Sequence, residues 1–238
     1  EVFRRHPDSV MEWVEFLERE KVLPTDTVLS THENYCAVLK KKPGITPLNK
    51  TTTETFLAVT HQKFKERLKK EAFDYIIGFF ADEVGFGGHE KQAGLPWCET
   101  VLEKYQEKYQ ESLTDHIWKL FLDAPDSPTI RIRFWETITD ILAESFYLPY
   151  TRWCNENGKL FTAHLKGEET PYFQLPHSGS CFAQLKNITL PAIDTLERYP
   201  GNHFFPRIVS SLAKQYGASG CLAEAMGGAG WGVGPQDL

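Results

Sequence analysis

Three short apolar stretches in this chain run into carboxylates. Residues 76–81 (Ile-Ile-Gly-Phe-Phe-Ala) lead into Asp82-Glu83, residues 160–165 (Leu-Phe-Thr-Ala-His-Leu) lead toward Glu168-Glu169, and Cys221-Leu222-Ala223 leads into Glu224. Acids at the C-terminal ends of successive buried strands are how a βα barrel assembles a site that cleaves a glycosidic bond. One carboxyl group protonates the leaving oxygen; the other activates a water or attacks the sugar. Glu83 and Glu224 are the first two candidates for such a pair, and His164 with Glu168-Glu169 forms a third cluster. Glu33, Asp82, His164, Glu168, Asp194 and Trp231 are the expected substrate-binding residues. Successive strand residues point to opposite faces, so only one of Asp82 and Glu83 should look into the pocket. His164 has the chemistry either to hydrogen-bond a sugar hydroxyl or to orient a carboxylate. Gly227, Gly228 and Gly230 permit close backbone approach to a ligand, and Trp231 offers a flat surface for a sugar ring.

The same groups supply oxygen donors of the kind calcium takes, so a calcium ion is the one cofactor the residues suggest. No dedicated metal motif is present: HExxH and paired-cysteine spacings are missing, and so are the phosphate loop and the Gly-x-Ser-x-Gly elbow.

The elements that must position these residues alternate between strand and helix. Apolar residues at helical spacing mark residues 8–20, 53–70, 97–109, 112–121, 130–153 and 206–216. Strands are expected at 27–31, 76–83, 160–165, 188–194 and 221–224, the one at 76–83 apolar on both faces until its acidic end, as parallel strands are, and the one at 221–224 short and buried. Phe134, Trp135, Ile138, Ile141, Leu142, Phe146, Tyr150 and Trp153 form an aromatic stripe whose plain reading is core packing. The stretch between residues 166 and 187 reads as loop, its His177-Ser178-Gly179-Ser180 segment polar and glycine-containing. This alternation predicts an α/β fold of the (β/α)8 TIM-barrel type, incomplete because five strands are legible where a barrel needs eight. Residues 1–238 are therefore expected to be a single partial barrel cut from a larger multidomain protein.

Composition narrows the partners. The net charge of −6 lacks the clustered positive charge that nucleic-acid binding requires, so no nucleic-acid partner is expected. No run is long and apolar enough for a membrane span. The five cysteines are odd in number and unpaired by spacing, which makes buried free thiols the default and leans toward a reducing, cytoplasmic compartment.

Five short segments, in order, resemble one family. Thr60-His61-Gln62-Lys63-Phe64 is similar to its THExY helix, and Phe79-Phe80-Ala81-Asp82-Glu83 to its FFTDEP strand end. The segment from Trp153-Cys154-Asn155-Glu156-Asn157-Gly158 to Phe161-Thr162-Ala163-His164 resembles WCxxHG…FTGH. Pro191-Ala192-Ile193-Asp194 resembles PGID, and residues 223–231 resemble SExFGxxGW. The family is glycoside hydrolase family 106 and its relatives, the α-L-rhamnosidase-like enzymes. The resemblance implies a catalytic barrel flanked by β-rich domains of the same parent chain, a carbohydrate substrate, inversion at the anomeric carbon and use of calcium. It also implies that Glu83 is one catalytic carboxylate, partnered by Glu224 or by Glu168 or Glu169. Val84 stands in place of the family's proline, Ala163 and Ala192 in place of glycines, and Thr31-His32-Glu33 in place of a Tyr-Asp-Glu cluster. A second expectation from the same residues is a carbohydrate-binding barrel that keeps the pocket without turnover.

Overall fold

The computed structural model describes residues 2–3, 27–31, 35–39, 45–86, 95–168, 170–196, 204–232 and 234. The chain divides into two compact units, residues 1–44 with 89–138 and residues 45–88 with 139–238.

In the first unit, strands β1 (Val2–Phe3), β2 (Thr27–Thr31) and β3 (Tyr35–Leu39) form an antiparallel sheet in the order β1-β3-β2. The strand expected at 27–31 is present, but it pairs antiparallel with β3, from Thr27↔Leu39 to Thr31↔Tyr35. It therefore belongs to a hairpin and not to the parallel sheet that the alternating pattern suggested. The helix Val101–Tyr109 ends where Gln110 takes a left-handed conformation, and Leu113–Leu120 continues as 3-10 helix. Val101, Tyr105, Leu113, Ile117 and Phe134 are buried in this unit. The expected helix at 8–20 lies outside the described residues.

The second unit carries the parallel sheet. Strands β4 (Gly78–Ala81), β5 (Leu160–Ala163), β6 (Leu190–Thr195) and β7 (Leu222–Ala225) lie side by side in chain order, all parallel. This is the expected α/β arrangement. The described residues form four such strands, whereas a closed barrel has eight. Pro191 has no N–H to give to a ladder, and it stands where β6 changes partners: Leu190 and Pro191 face β5, while Ala192–Thr195 face β7.

The expectations that β4 is buried on both faces and that β7 is a buried strand need correction. Phe80 in β4 and Ala223, Glu224 and Ala225 in β7 are exposed. Each outer strand has a neighbour on one side only among the described strands, whereas Phe161 and Ala163 of the inner β5 are fully buried.

Helices fill the connections. The aromatic stripe forms a helical run from Ser127 to Glu156, α-helical over Ser127–Leu142, π-helical over Ala143–Tyr147 and α-helical again over Leu148–Glu156. Its Phe146, Tyr147 and Tyr150 are buried, and the Tyr150 ring stacks on Phe161 of β5 at 4.0 Å. Core packing thus accounts for the stripe, at about 2–3 kcal/mol for each fully buried ring. The helix expected over 53–70 is broken at Thr60 into Lys50–Val59 and His61–Arg67. The Thr60 hydroxyl donates to the Phe56 carbonyl at 2.6 Å, the back-bonding that bends helices. The helix Phe204–Tyr216 packs on β6 and ends at Gly217, where φ is +68°.

Two helices replace what reads as loop. Pro171–Ser178 is capped by the Thr170 hydroxyl and Cys181–Leu185 by the Ser180 hydroxyl, each accepting a backbone N–H. Between them Gly179 has φ +71°, and a Cβ there would fall 2.2 Å from the Thr139 hydroxyl oxygen. Caps and a glycine turn between short helices have the same composition as a loop, which is why they were missed.

Candidate active site

The site grows from the sheet register. Ala81 of β4 pairs with Ala163 of β5, so the next residues, Asp82 and His164, emerge side by side at the C-terminal edge. Asp194 of β6 pairs with Glu224 of β7, which puts two acids next to each other on the adjoining strands. His164 is fully buried, with its ring 5.3 Å from that of Phe80. Its Nε2 lies 3.0 Å from Glu224 Oε2 and 3.2 Å from Asp82 Oδ1, so one imidazole bridges acids from the two outer strands. Its Nδ1 lies 4.0 Å from Glu168 Oε1 and has no hydrogen-bond partner among the described residues.

Glu168 is buried behind the histidine. Its Oε1 accepts the Asp194 backbone N–H at 2.6 Å, and its carbonyl accepts from the Gln174 amide at 3.2 Å. Gly167 makes this turn feasible: its φ is +78°, and a Cβ would lie 2.5 Å from the Phe173 carbonyl oxygen. The loop beyond β4 is tied down as well. The Tyr147 hydroxyl donates to the Val84 carbonyl at 2.6 Å, and the Phe86 N–H donates to the His177 carbonyl at 2.9 Å.

Of the neighbouring acids, Asp82 is the one that reaches His164. Glu83 adopts φ +46° and turns onto Lys166, with Oε2 3.4 Å from Nζ. Lys166 did not figure among the expected site residues. Alternation from the strand could not have found it, because the chain leaves the extended conformation and turns at residues 166–168, with Gly167 at φ +78°.

The glycine-rich loop after β7 is explained partly by its own packing. Met226 and Gly228 donate backbone N–H groups to the Thr195 and Leu196 carbonyls, and a Cβ on Gly227 would lie 2.8 Å from the Leu196 side chain. Trp231 is fully exposed. Glu33 and Glu169 lie outside the described residues.

The acids expected to offer oxygens to calcium are only partly within the described residues, Glu33 and Glu169 lying outside them. Among the described residues no three His, Cys, Asp or Glu side chains converge in a way that would hold one ion.

Other sequence expectations divide similarly. Cys98, Cys154 and Cys181 are buried free thiols, but Cys221 is exposed at the start of the outer strand. No helix among the described residues is long and apolar enough to cross a membrane.

The chain matches no protein-family profile and no curated protein. It does match a solved structure, a rhamnosidase from Novosphingobium sp. PP1Y, over 89% of its length with a TM-score of 0.58 and 17% identity. The likeness is one of fold. The match takes in 20% of the rhamnosidase, so this chain spans about a fifth of that protein's length.

Proposed function

We propose that this chain is part of a glycoside hydrolase of the α-L-rhamnosidase kind, its parallel sheet forming one arc of a (β/α)8 catalytic barrel. The observation that carries the reading is the convergence of Asp82, His164, Glu168 and Glu224 at the C-terminal edge of the sheet, where barrel enzymes hold their chemistry. The fold likeness to a rhamnosidase is consistent with it. Three acids around His164 and a fourth, Glu83, on Lys166 suit a reaction in which one carboxyl group gives a proton and another takes one.

In this reading Glu83 and Glu224 are the working pair, one protonating the glycosidic oxygen and the other activating water. Trp231, fully exposed beyond β7, is available to stack on a sugar ring, and carbohydrate is the proposed partner.

The test is hydrolysis of a panel of aryl glycosides, p-nitrophenyl α-L-rhamnoside first, by the unsubstituted protein and by Glu83→Gln and Glu224→Gln. Loss of most turnover in both variants supports the pair. Near-normal turnover in either removes that residue from it, and sugar binding without turnover by the unsubstituted protein points to a carbohydrate-binding barrel instead.

A further inference from the structure

We propose that His164 is a positioning residue, not a sugar ligand: its Nε2–H holds the carboxylates of Asp82 and Glu224 in place from behind. The inference rests on the reading of Glu224 as a working carboxylate and assigns the histidine beside it a task.

Three observations carry it. First, ionised carboxylates only accept hydrogen bonds, so with Asp82 and Glu224 both ionised the nitrogen lying 3.0 Å from Glu224 Oε2 and 3.2 Å from Asp82 Oδ1 carries the proton that both share, which makes Glu224 the base of the working pair. Without that proton two acids from different strands would face each other with nothing between them. Second, exposure runs the wrong way for a sugar ligand. The His164 side chain is 1% exposed, whereas those of Asp82 and Glu224 are 72% and 46% exposed. The acids stand in front and the imidazole behind them. Third, the ring has no polar edge left for a hydroxyl. Nε2 is engaged, and Nδ1 is buried against Glu168, itself fixed by the Asp194 N–H. Among the described residues the charged groups around His164 are thus Asp82 from the end of β4, Glu168 from the turn after β5 and Glu224 from β7.

Two substitutions separate positioning from bulk. Gln ends in an amide whose two N–H groups can serve two carboxylates, while Leu fills similar space with no donor. In the full chain acting on p-nitrophenyl α-L-rhamnoside, His164→Leu should lower kcat about 10²-fold with little change in KM, the scale of a carboxylate displaced by about 1 Å. His164→Gln should recover most of that loss. A loss confined to KM, or equal kcat for the Leu and Gln variants, overturns the proposal.

A second measurement does not depend on turnover or on either variant folding. In ¹⁵N-histidine NMR of the unsubstituted chain, His164 should show a protonated, slowly exchanging Nε2 whose resonance moves in both Asp82→Asn and Glu224→Gln. An unprotonated Nε2, or one indifferent to both substitutions, overturns it. Should Glu224→Gln hydrolyse normally, the catalytic reading fails, and the NMR result still decides whether His164 holds the two acids.

Discussion

His61 lies against the rings of Phe56, Phe79, Tyr150 and Trp153, between 4.2 and 5.4 Å from centroid to centroid. Its tautomer follows from its neighbours. The Thr60 hydroxyl gives its single proton to the Phe56 carbonyl, so it accepts from His61 Nδ1–H at 2.7 Å. That leaves Nε2 bare, 2.5 Å from the Tyr150 hydroxyl, which donates to it. Burial pushes Tyr150 up, so its proton stays in place, and burial pushes His61 down from 6.5 to about 4. A second proton on the imidazole would displace the Tyr150 bond and put a charge among four rings. The unfolded chain binds that proton near pH 6.5 and the folded chain only near pH 4. Stability from this group is therefore complete above pH 6.5 and is lost as the pH falls toward 4. At about 1.4 kcal/mol per pH unit the full gap is worth at most ~3 kcal/mol. Moving from pH 8 to pH 5 spans part of it, or about 1–2 kcal/mol after allowance for water screening the ring's edge. The assay is urea unfolding followed by tryptophan fluorescence at pH 8, 6.5 and 5, for the unsubstituted chain and for His61→Gln. Other carboxylates and histidines titrate in both proteins and cancel in the difference. The substituted chain should be less stable at pH 8 yet lose about 1–2 kcal/mol less on acidification. Equal acid losses in the two proteins would refute the reasoning.

Other expectations are quicker to check. Gly179→Ala places a methyl group against Thr139 at a left-handed position, so it should cost about 2–4 kcal/mol in a denaturation experiment; a cost under about 1 kcal/mol would mean that the turn relaxes freely. In the native chain a thiol reagent should label Cys221 readily, whereas Cys154, whose thiol burial pushes up to about 12, should react only on unfolding. Mass spectrometry of the labelled chain reads this directly, and equal labelling of the two would contradict the burial assigned to Cys154. Lys166→Met frees Glu83 from its ammonium partner, and kcat should fall by about tenfold or more if the carboxylate depends on that contact for its place; unchanged kinetics would remove Lys166 from the site. Lys159 is buried with Nζ donating to the Phe73 carbonyl at 2.7 Å, so Lys159→Met should cost about 1–3 kcal/mol through loss of that charge-assisted hydrogen bond, measurable by thermal unfolding.

The sequence alone determined what depends on near neighbours. Helical spacing of apolar residues marks the run through Phe134, Phe146 and Tyr150, and apolar stretches ending in acids mark β4, β5 and β7. The composition at Asn157-Gly158 and Gly217 marks where helices stop. These are decided within a turn or two of chain, so they can be read without knowing what lies across the sheet. Tertiary structure decided which acids meet. Asp82 and His164 come together because Ala81 pairs with Ala163, and Glu224 reaches the same imidazole from across β6. A one-residue slip in either register would send those side chains to the opposite face. The antiparallel hairpin of β2 and β3 was hidden because alternation of strand and helix carries no record of partners. The helices at Pro171–Ser178 and Cys181–Leu185 were hidden because caps, prolines and glycine turns are shared with loops. Glu83 joins Lys166, and Asp82 joins His164, because a left-handed residue just past β4 ends the strand's alternation. That backbone turn is set by the packing around Val84 and Phe86, contacts with residues far along the chain that no local pattern reveals.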